Sequence, residues 1–194
     1  MRLFVALSLP ETVQDRLSDL CQGVPSAKWV AAENLHLTLR FIGEVDHAEA
    51  DDIHDALERI DCEAFDLDLV GLDTFGEGRK LRQLWVGVGE NPALQRLQGK
   101  VEKAVQRAGQ PPERRKFKPH VTLARFKSSP GPKLGEFIQS YGLLRIGPIR
   151  VADFVLYSSQ LSPGGSIYRE EARYPLSHLP ANLAGRPLAA GLVG

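Results

Sequence analysis

One short pattern occurs twice in this chain: His36-Leu37-Thr38-Leu39-Arg40-Phe41 and His120-Val121-Thr122-Leu123-Ala124-Arg125-Phe126. Both copies are rich in β-formers and read as strands. Side chains alternate along a strand, so His36 and Thr38 share one face while Leu37 and Leu39 take the other. His120 and Thr122 repeat the arrangement over Val121 and Leu123. The second histidine stands 84 residues after the first, and a strand and a helix can be read beside each copy. That repetition predicts two similar lobes related by a pseudo-twofold axis, with the two His/Thr pairs facing one another across a cleft.

A facing pair of imidazoles suits phosphodiester chemistry. One takes a proton from the attacking oxygen, the other gives one to the leaving oxygen, and both titrate near neutral pH. Threonine hydroxyls can donate to non-bridging oxygens as charge builds there. One His-x-Thr on a strand is ordinarily a half-buried structural pair; two matching copies on similar strands point to a site. A metal centre is the weaker reading, because the two imidazoles bring no evident third carboxylate or thiolate.

Strands and helices interleave along the chain. Arg2 to Leu9 reads as a strand, and Pro10-Glu11 opens a helix running to about Cys21. Trp29-Val30 and Leu35 to Ile42 read as extended, Gly43 as a break, and Asp46 to Ile60 as a helix. Phe65 to Leu72 alternates as a half-buried strand does, Gly71 to Lys80 reads as a loop, Leu81 to Val88 as a strand and Ala93 to Ala108 as a helix. After a basic linker, Pro111 to Lys118, come a strand at Val121 to Phe126, a helix at Lys133 to Tyr141, and strands at Ile149 to Tyr157 and Ile167 to Tyr174. Ser177 to Gly194 is dominated by Leu, Ala, Gly and Pro and reads as a tail, mobile or laid on the surface, leaving 1–176 as the folded domain.

At 194 residues and 43% hydrophobic content the chain can bury a real core. Its 24 lysines and arginines balance 24 aspartates and glutamates, so no broad positive field surrounds it and an anionic substrate must be held locally. Cys21 and Cys62 have no paired spacing and read as free thiols. The N-terminus lacks the apolar region and cleavage site of a signal peptide, and no run is long enough to span a bilayer. A soluble protein of a reducing cytoplasm is expected.

The residues resemble a known family. MRLFVALSLPE, KWVAAENLHLTLRFIGEV, FKPHVTLARF and VLYSSQLSPGGSIYREEARYPL together cover about residues 1 to 176, and they resemble the two-histidine phosphoesterases, in particular the RNA 2′,3′-cyclic phosphodiesterases, historically called 2′-5′ RNA ligases. The resemblance implies a bilobal α+β fold with two antiparallel sheets flanking a central cleft and helices outside. It implies a metal-independent reaction with no cofactor. It makes His36 the general acid that protonates the departing 3′ oxygen and His120 the general base that activates water. Thr38 and Thr122 would bind phosphate oxygens, and Arg125 would add a fixed charge and two directed donors. Strict alternation, however, puts Arg125 on the opposite face from His120 and Arg40 on the face of His36. A bulge or the strand's end at Ala124 would resolve this; Arg125 stays the expected ligand, and Arg40 is the lesser candidate, more ordinarily a salt-bridged strand residue.

Other features stay open. Arg114, Arg115, Lys116 and Lys118 can steer a phosphate backbone or form a solvated loop. Phe41 and Phe126 occupy matching places and read as base-stacking or, more ordinarily, core residues; Trp29 and Trp85 are similar cases. His47, His54 and His178 read as surface residues, and Gly76, Gly78, Gly164 and Gly165 as turns. The expected partners are RNA ends or nucleotides bearing a cyclic phosphate, acted on by a monomer without a membrane. Run with a 5′ hydroxyl as nucleophile, the same chemistry joins strands. The alternatives are a phosphodiesterase of a small cyclic nucleotide or an ADP-ribose cyclic phosphate, and a non-catalytic RNA-end-binding module.

Overall fold

Two strand-helix-strand-helix runs dominate the chain order. The first comprises β1 (Arg2–Ser8), α1 (Glu11–Leu20), a short strand β2 (Ala27–Trp29), β3 (His36–Glu44) and α2 (His47–Glu58). The second comprises β5 (Gln83–Val88), α3 (Pro92–Arg107), β6 (His120–Phe126) and α4 (Lys133–Ser140). Between them lies β4 (Phe65–Phe75), and after them β7 (Arg145–Val151), β8 (Asp153–Ser162) and β9 (Gly165–Pro175). The computed structural model describes residues 1–76, 81–128, 130–162 and 165–177.

Local chemistry explains the helix starts. Asp46 caps α2 in a capping box: its carboxylate accepts from the Glu49 amide at 2.9 Å while Glu49 accepts from the Asp46 amide. Asn91 caps α3, with Pro92 in the first turn. The buried face of α3 then recurs at helical spacing, through Leu94, Leu97, Val101, Ala104 and Val105.

The strands form one nine-stranded sheet in the order β7-β4-β5-β6-β3-β1-β8-β9, with β2 on the far stretch of β6. All pairings are antiparallel. Its two halves, β7-β4-β5-β6 and β3-β1-β8-β9, are the two expected sheets, joined through a single residue pair, Leu37 with Val121. The seam thus falls at the centre of both His-x-Thr copies. Leu37 and Val121 point into a core shared by both halves and by α1, α2 and α3, where Leu17, Ile53, Leu57 and Leu97 are fully buried. Helices therefore cover one face of the seam and leave the other to the polar residues. A second core, Leu84, Ala124, Phe126 and Leu134 among others, lies under α4.

Several boundaries differ from expectation. Gly43 does not end β3: at φ +105° it sits in a bulge against β1, and the strand runs on to Glu44. The Gly71 to Lys80 loop is strand as far as Phe75, with 77–80 outside the described residues. The turn glycines Gly78 and Gly164 also lie outside them. Ile149 to Tyr157 is two strands, since the chain leaves the outer edge of one half after Val151 and enters the other half at Asp153. Ser177 bonds through its backbone to Cys62 and Ala64 and belongs to the fold, while 178–194 lie outside the described residues. Cys21 and Cys62 are free, and burial pushes the Cys21 thiol up to about 11. Among the described residues no helix is long and apolar enough to cross a membrane.

Candidate active site

Extending the Leu37–Val121 register by one residue each way sets His36 beside Thr122 and Thr38 beside His120. All four line one cleft of about 1400 Å³ on the open face of the seam. Each histidine is held in the same way. His36 Nδ1 lies 2.7 Å from the Asn34 carbonyl oxygen, and His120 Nδ1 lies 2.7 Å from that of Lys118. A carbonyl only accepts, so each Nδ1 carries its hydrogen and donates, and Nε2 has no hydrogen-bond partner among the described residues. In both rings Nε2 is thereby left to take or give a proton.

The walls are aromatic. The His36 ring lies 5.0 Å from Phe4 and meets the edge of Tyr168 at 5.2 Å, and the His120 ring meets Phe75 at 4.8 Å and Trp85 at 5.6 Å. These neighbours come from β1, β4, β5 and β9, remote in sequence, and no local pattern announces them. Gly87, paired with His120, lets β4 and the Trp85 ring close in: a Cβ there would stand 2.9 Å from the Val70 carbonyl oxygen and 3.3 Å from the Trp85 ring. Burial holds the His36 imidazole down at about 4, with the charges of Arg125 and His120 adding to it and the Asn34 bond opposing. His120 is also lowered by burial, with the bond to the Lys118 carbonyl opposing and the Lys118 charge adding to it.

Arg125 reaches the cleft because the alternation slips. Between Trp85 and Leu84 the β5–β6 register shifts, so that Thr122 pairs with Trp85 and Ala124 with Leu84; Leu123 and Ala124 are both buried and Arg125 turns outward. β3 has the same bulge at Leu39. There it turns Arg40 into the interior, 6% exposed, against Glu102 at 2.6 Å and Glu113 at 3.8 Å, and its guanidinium also donates to the Phe41 and Pro111 carbonyls. Arg40 is the salt-bridged strand residue. The matched bulges make Phe41, not Phe126, the counterpart of Arg125: Phe41 is 43% exposed on the cleft wall, stacked on Phe4, while Phe126 is core.

Eight lysines and arginines line the cleft (Arg2, Lys28, Arg40, Arg82, Arg115, Lys116, Lys118, Arg125) against Glu33 and Glu113, with Arg40 paired inward to Glu102 and Lys118 paired to Asp73 at 3.4 Å. A chain of zero net charge therefore concentrates positive charge at its seam. Lys28 carries no signal in the sequence; it enters because β2 pairs with β6 and sets Lys28 opposite Arg125. Arg114 does not line the cleft, Trp85 is buried beside His120, and Trp29 lines the cleft against Phe137. His47 is an exposed residue of α2, whereas His54 is half-buried and bonded to the Tyr174 hydroxyl at 2.8 Å. His178 lies outside the described residues. Among the described residues, no group of three His, Cys, Asp or Glu side chains is placed to share a metal ion.

Fold and site together define the two-histidine phosphoesterase class. The chain belongs to the 2′-5′ RNA ligase superfamily, whose family model matches residues 5–141. It is 40% identical to the RNA 2′,3′-cyclic phosphodiesterase of Aeropyrum pernix over 149 residues, 76% of this chain and 84% of that one. With the enzyme of the same name from Archaeoglobus fulgidus it shares 31% identity over 88% of this chain and 97% of the relative. The crystal structure of E. coli LigT complexed with 3′-AMP superposes with a TM-score of 0.73 at 27% identity, covering 91% of this chain and 98% of LigT. TT0787 of Thermus thermophilus gives 0.74 at 28%, over 90% and 97%.

The depressed imidazoles make a kinetic prediction. For two imidazoles working as an acid-base pair, the competent form has one protonated and one neutral, and kcat/KM is then expected to follow a bell centred midway between the two free-protein pKa values. Both lie below the ordinary 6.5, which puts the optimum on the acid side of 6.5. A bound phosphate anion favours protonation and moves the kcat bell upward. Profiles of both parameters check this; a kcat/KM maximum on the alkaline side of 6.5 contradicts it.

Proposed function

We propose that this protein is an RNA 2′,3′-cyclic phosphodiesterase that opens a cyclic phosphate end to a 2′-phosphate. The observation that carries the reading is the antiparallel Leu37–Val121 pair, which brings two His-x-Thr copies to one open face with both Nδ1 atoms committed to backbone. The names of the relatives from Aeropyrum pernix and Archaeoglobus fulgidus support it.

In this mechanism Thr38 and Thr122 donate hydrogen bonds to the non-bridging oxygens and Arg125 neutralises the phosphate. His120 Nε2 takes a proton from water as its oxygen bonds to phosphorus. The bond from phosphorus to the 3′ oxygen breaks opposite, and His36 Nε2 gives that oxygen its proton. His36 must therefore be protonated in the complex, although burial keeps it neutral in the free protein at neutral pH. The incoming anion supplies the missing stabilisation. No step requires a cofactor.

Incubation with an oligoribonucleotide ending in a 2′,3′-cyclic phosphate, followed by phosphorus NMR of the product, should show a 2′-phosphate and a free 3′ hydroxyl. One fixed acid and one fixed base serve one ring oxygen much better than the other. A dominant 3′-phosphate would exchange the roles of His36 and His120, and an intact ring would reject the reading.

A further inference from the structure

The segment between α3 and β6 has neither helix nor strand, and every residue from Pro111 to Lys116 is exposed. Such segments are ordinarily loose on a protein surface. This one is tied to the interior at four points. The Arg40 guanidinium donates to the Pro111 carbonyl and pairs with the Glu113 carboxylate at 3.8 Å. The Glu113 amide donates to Glu102 Oε1 at 2.9 Å, and Phe117 packs against the core. Three of these ties run through the buried Arg40–Glu102 pair, an expensive device in a low-dielectric interior. What it holds in place is a basic stretch, and Arg115, Lys116 and Lys118 from that stretch line the cleft.

The position of the stretch is informative. It enters β6 at His120, whereas Arg125 and its cross-strand neighbour Lys28 lie toward the other end of that strand. Positive charge thus flanks the two histidines on both sides. The cleft, at about 1400 Å³, also exceeds the roughly 300–1,000 Å³ of a site for one small ligand.

We infer that Pro111 to Lys118 is a backbone-binding arm for single-stranded RNA, gripping phosphates beyond the terminal nucleotide through Arg115 and Lys116. The inference rests on the hydrolase reading and deepens it by assigning the residues that hold the RNA beyond its terminal nucleotide. Arg40 is a positioning residue for the arm. Phosphates held by the arm displace counterions, so the arm contributes a salt-dependent part of the affinity that a mononucleotide does not feel.

The test compares the wild type with the double variant Arg115→Ala/Lys116→Ala. Its two substrates are a single-stranded oligoribonucleotide ending in a 2′,3′-cyclic phosphate and a mononucleoside 2′,3′-cyclic phosphate, each assayed over a range of salt. On the oligonucleotide the slope of log kcat/KM against log salt becomes shallower by about 1.4 in the variant, so a fourfold rise in salt costs the wild type about sevenfold more than the variant. On the mononucleotide the salt slopes of the two proteins stay parallel, and an unaltered circular dichroism spectrum and Tm show that the variant is folded. Parallel salt slopes on the oligonucleotide, or equal losses on both substrates, would overturn the arm. A wild type that opens the mononucleotide but not the oligonucleotide removes the arm and leaves the hydrolase, and one that opens neither removes both.

Discussion

His36→Ala and His120→Ala are each expected to lower turnover by about two orders of magnitude or more, the usual scale for a lost general acid or base. Each alanine removes a ring whose Nε2 is left for proton transfer, since Nδ1 is bonded to Asn34 or Lys118. The two imidazoles act on one phosphorus in one step, so neither has much left to contribute once the other is gone. The double variant should therefore be little worse than the worse single one. The measurement is single-turnover hydrolysis of a cyclic-phosphate end by folded variants. Near-full activity in either single variant would take that histidine out of the mechanism, and strictly multiplicative losses would mean that the two act in separate steps.

The second large effect falls on stability. Arg40 and Glu102 are 6% and 16% exposed, and removing one member of a buried pair strands the other charge. Arg40→Ala should lower the unfolding free energy by about 3 kcal/mol or more, which for a chain of this length is a fall in Tm of roughly 6–12 °C. Arg40→Met/Glu102→Leu should recover much of that, because two packed apolar side chains leave no orphaned charge. KM for a mononucleoside cyclic phosphate should not move in the double variant. An unaltered Tm in Arg40→Ala together with a raised KM would return Arg40 to the role of phosphate ligand.

The His/Thr pairs were legible because they depend only on local alternation, and α2 because Ala48, Ile53, Ala56, Leu57 and Ile60 recur at helical spacing. Arg125 and Arg40 were ambiguous for the opposite reason. A bulge is a relation between two strands, and nothing in Leu39 or Leu123 alone reveals that each is the extra residue against β1 or β5. The same slip hid the mismatch of Phe41 and Phe126, whose places look equivalent only when residues are counted without it. Ile149 to Tyr157 read as one strand because the apolar residues of β7 and β8 continue across Ala152, while the change of neighbours there is a property of the sheet. The aromatic walls, Lys28 and the carbonyls of Asn34 and Lys118 required the tertiary fold. Neither lobe encodes alone how the other will enclose it.

The Leu37–Val121 pair has a geometric meaning. His36 and His120 each stand one residue from it, about 3.4 Å along the strand, so their separation is set by the backbone and not by side-chain packing. β2 laid on β6, the Arg40–Glu102 pair between β3 and α3, and the core common to both halves brace that junction from several sides. The gauge between the two proton-transfer atoms is thus a dimension of the sheet itself, and a substitution in the cleft wall leaves it standing.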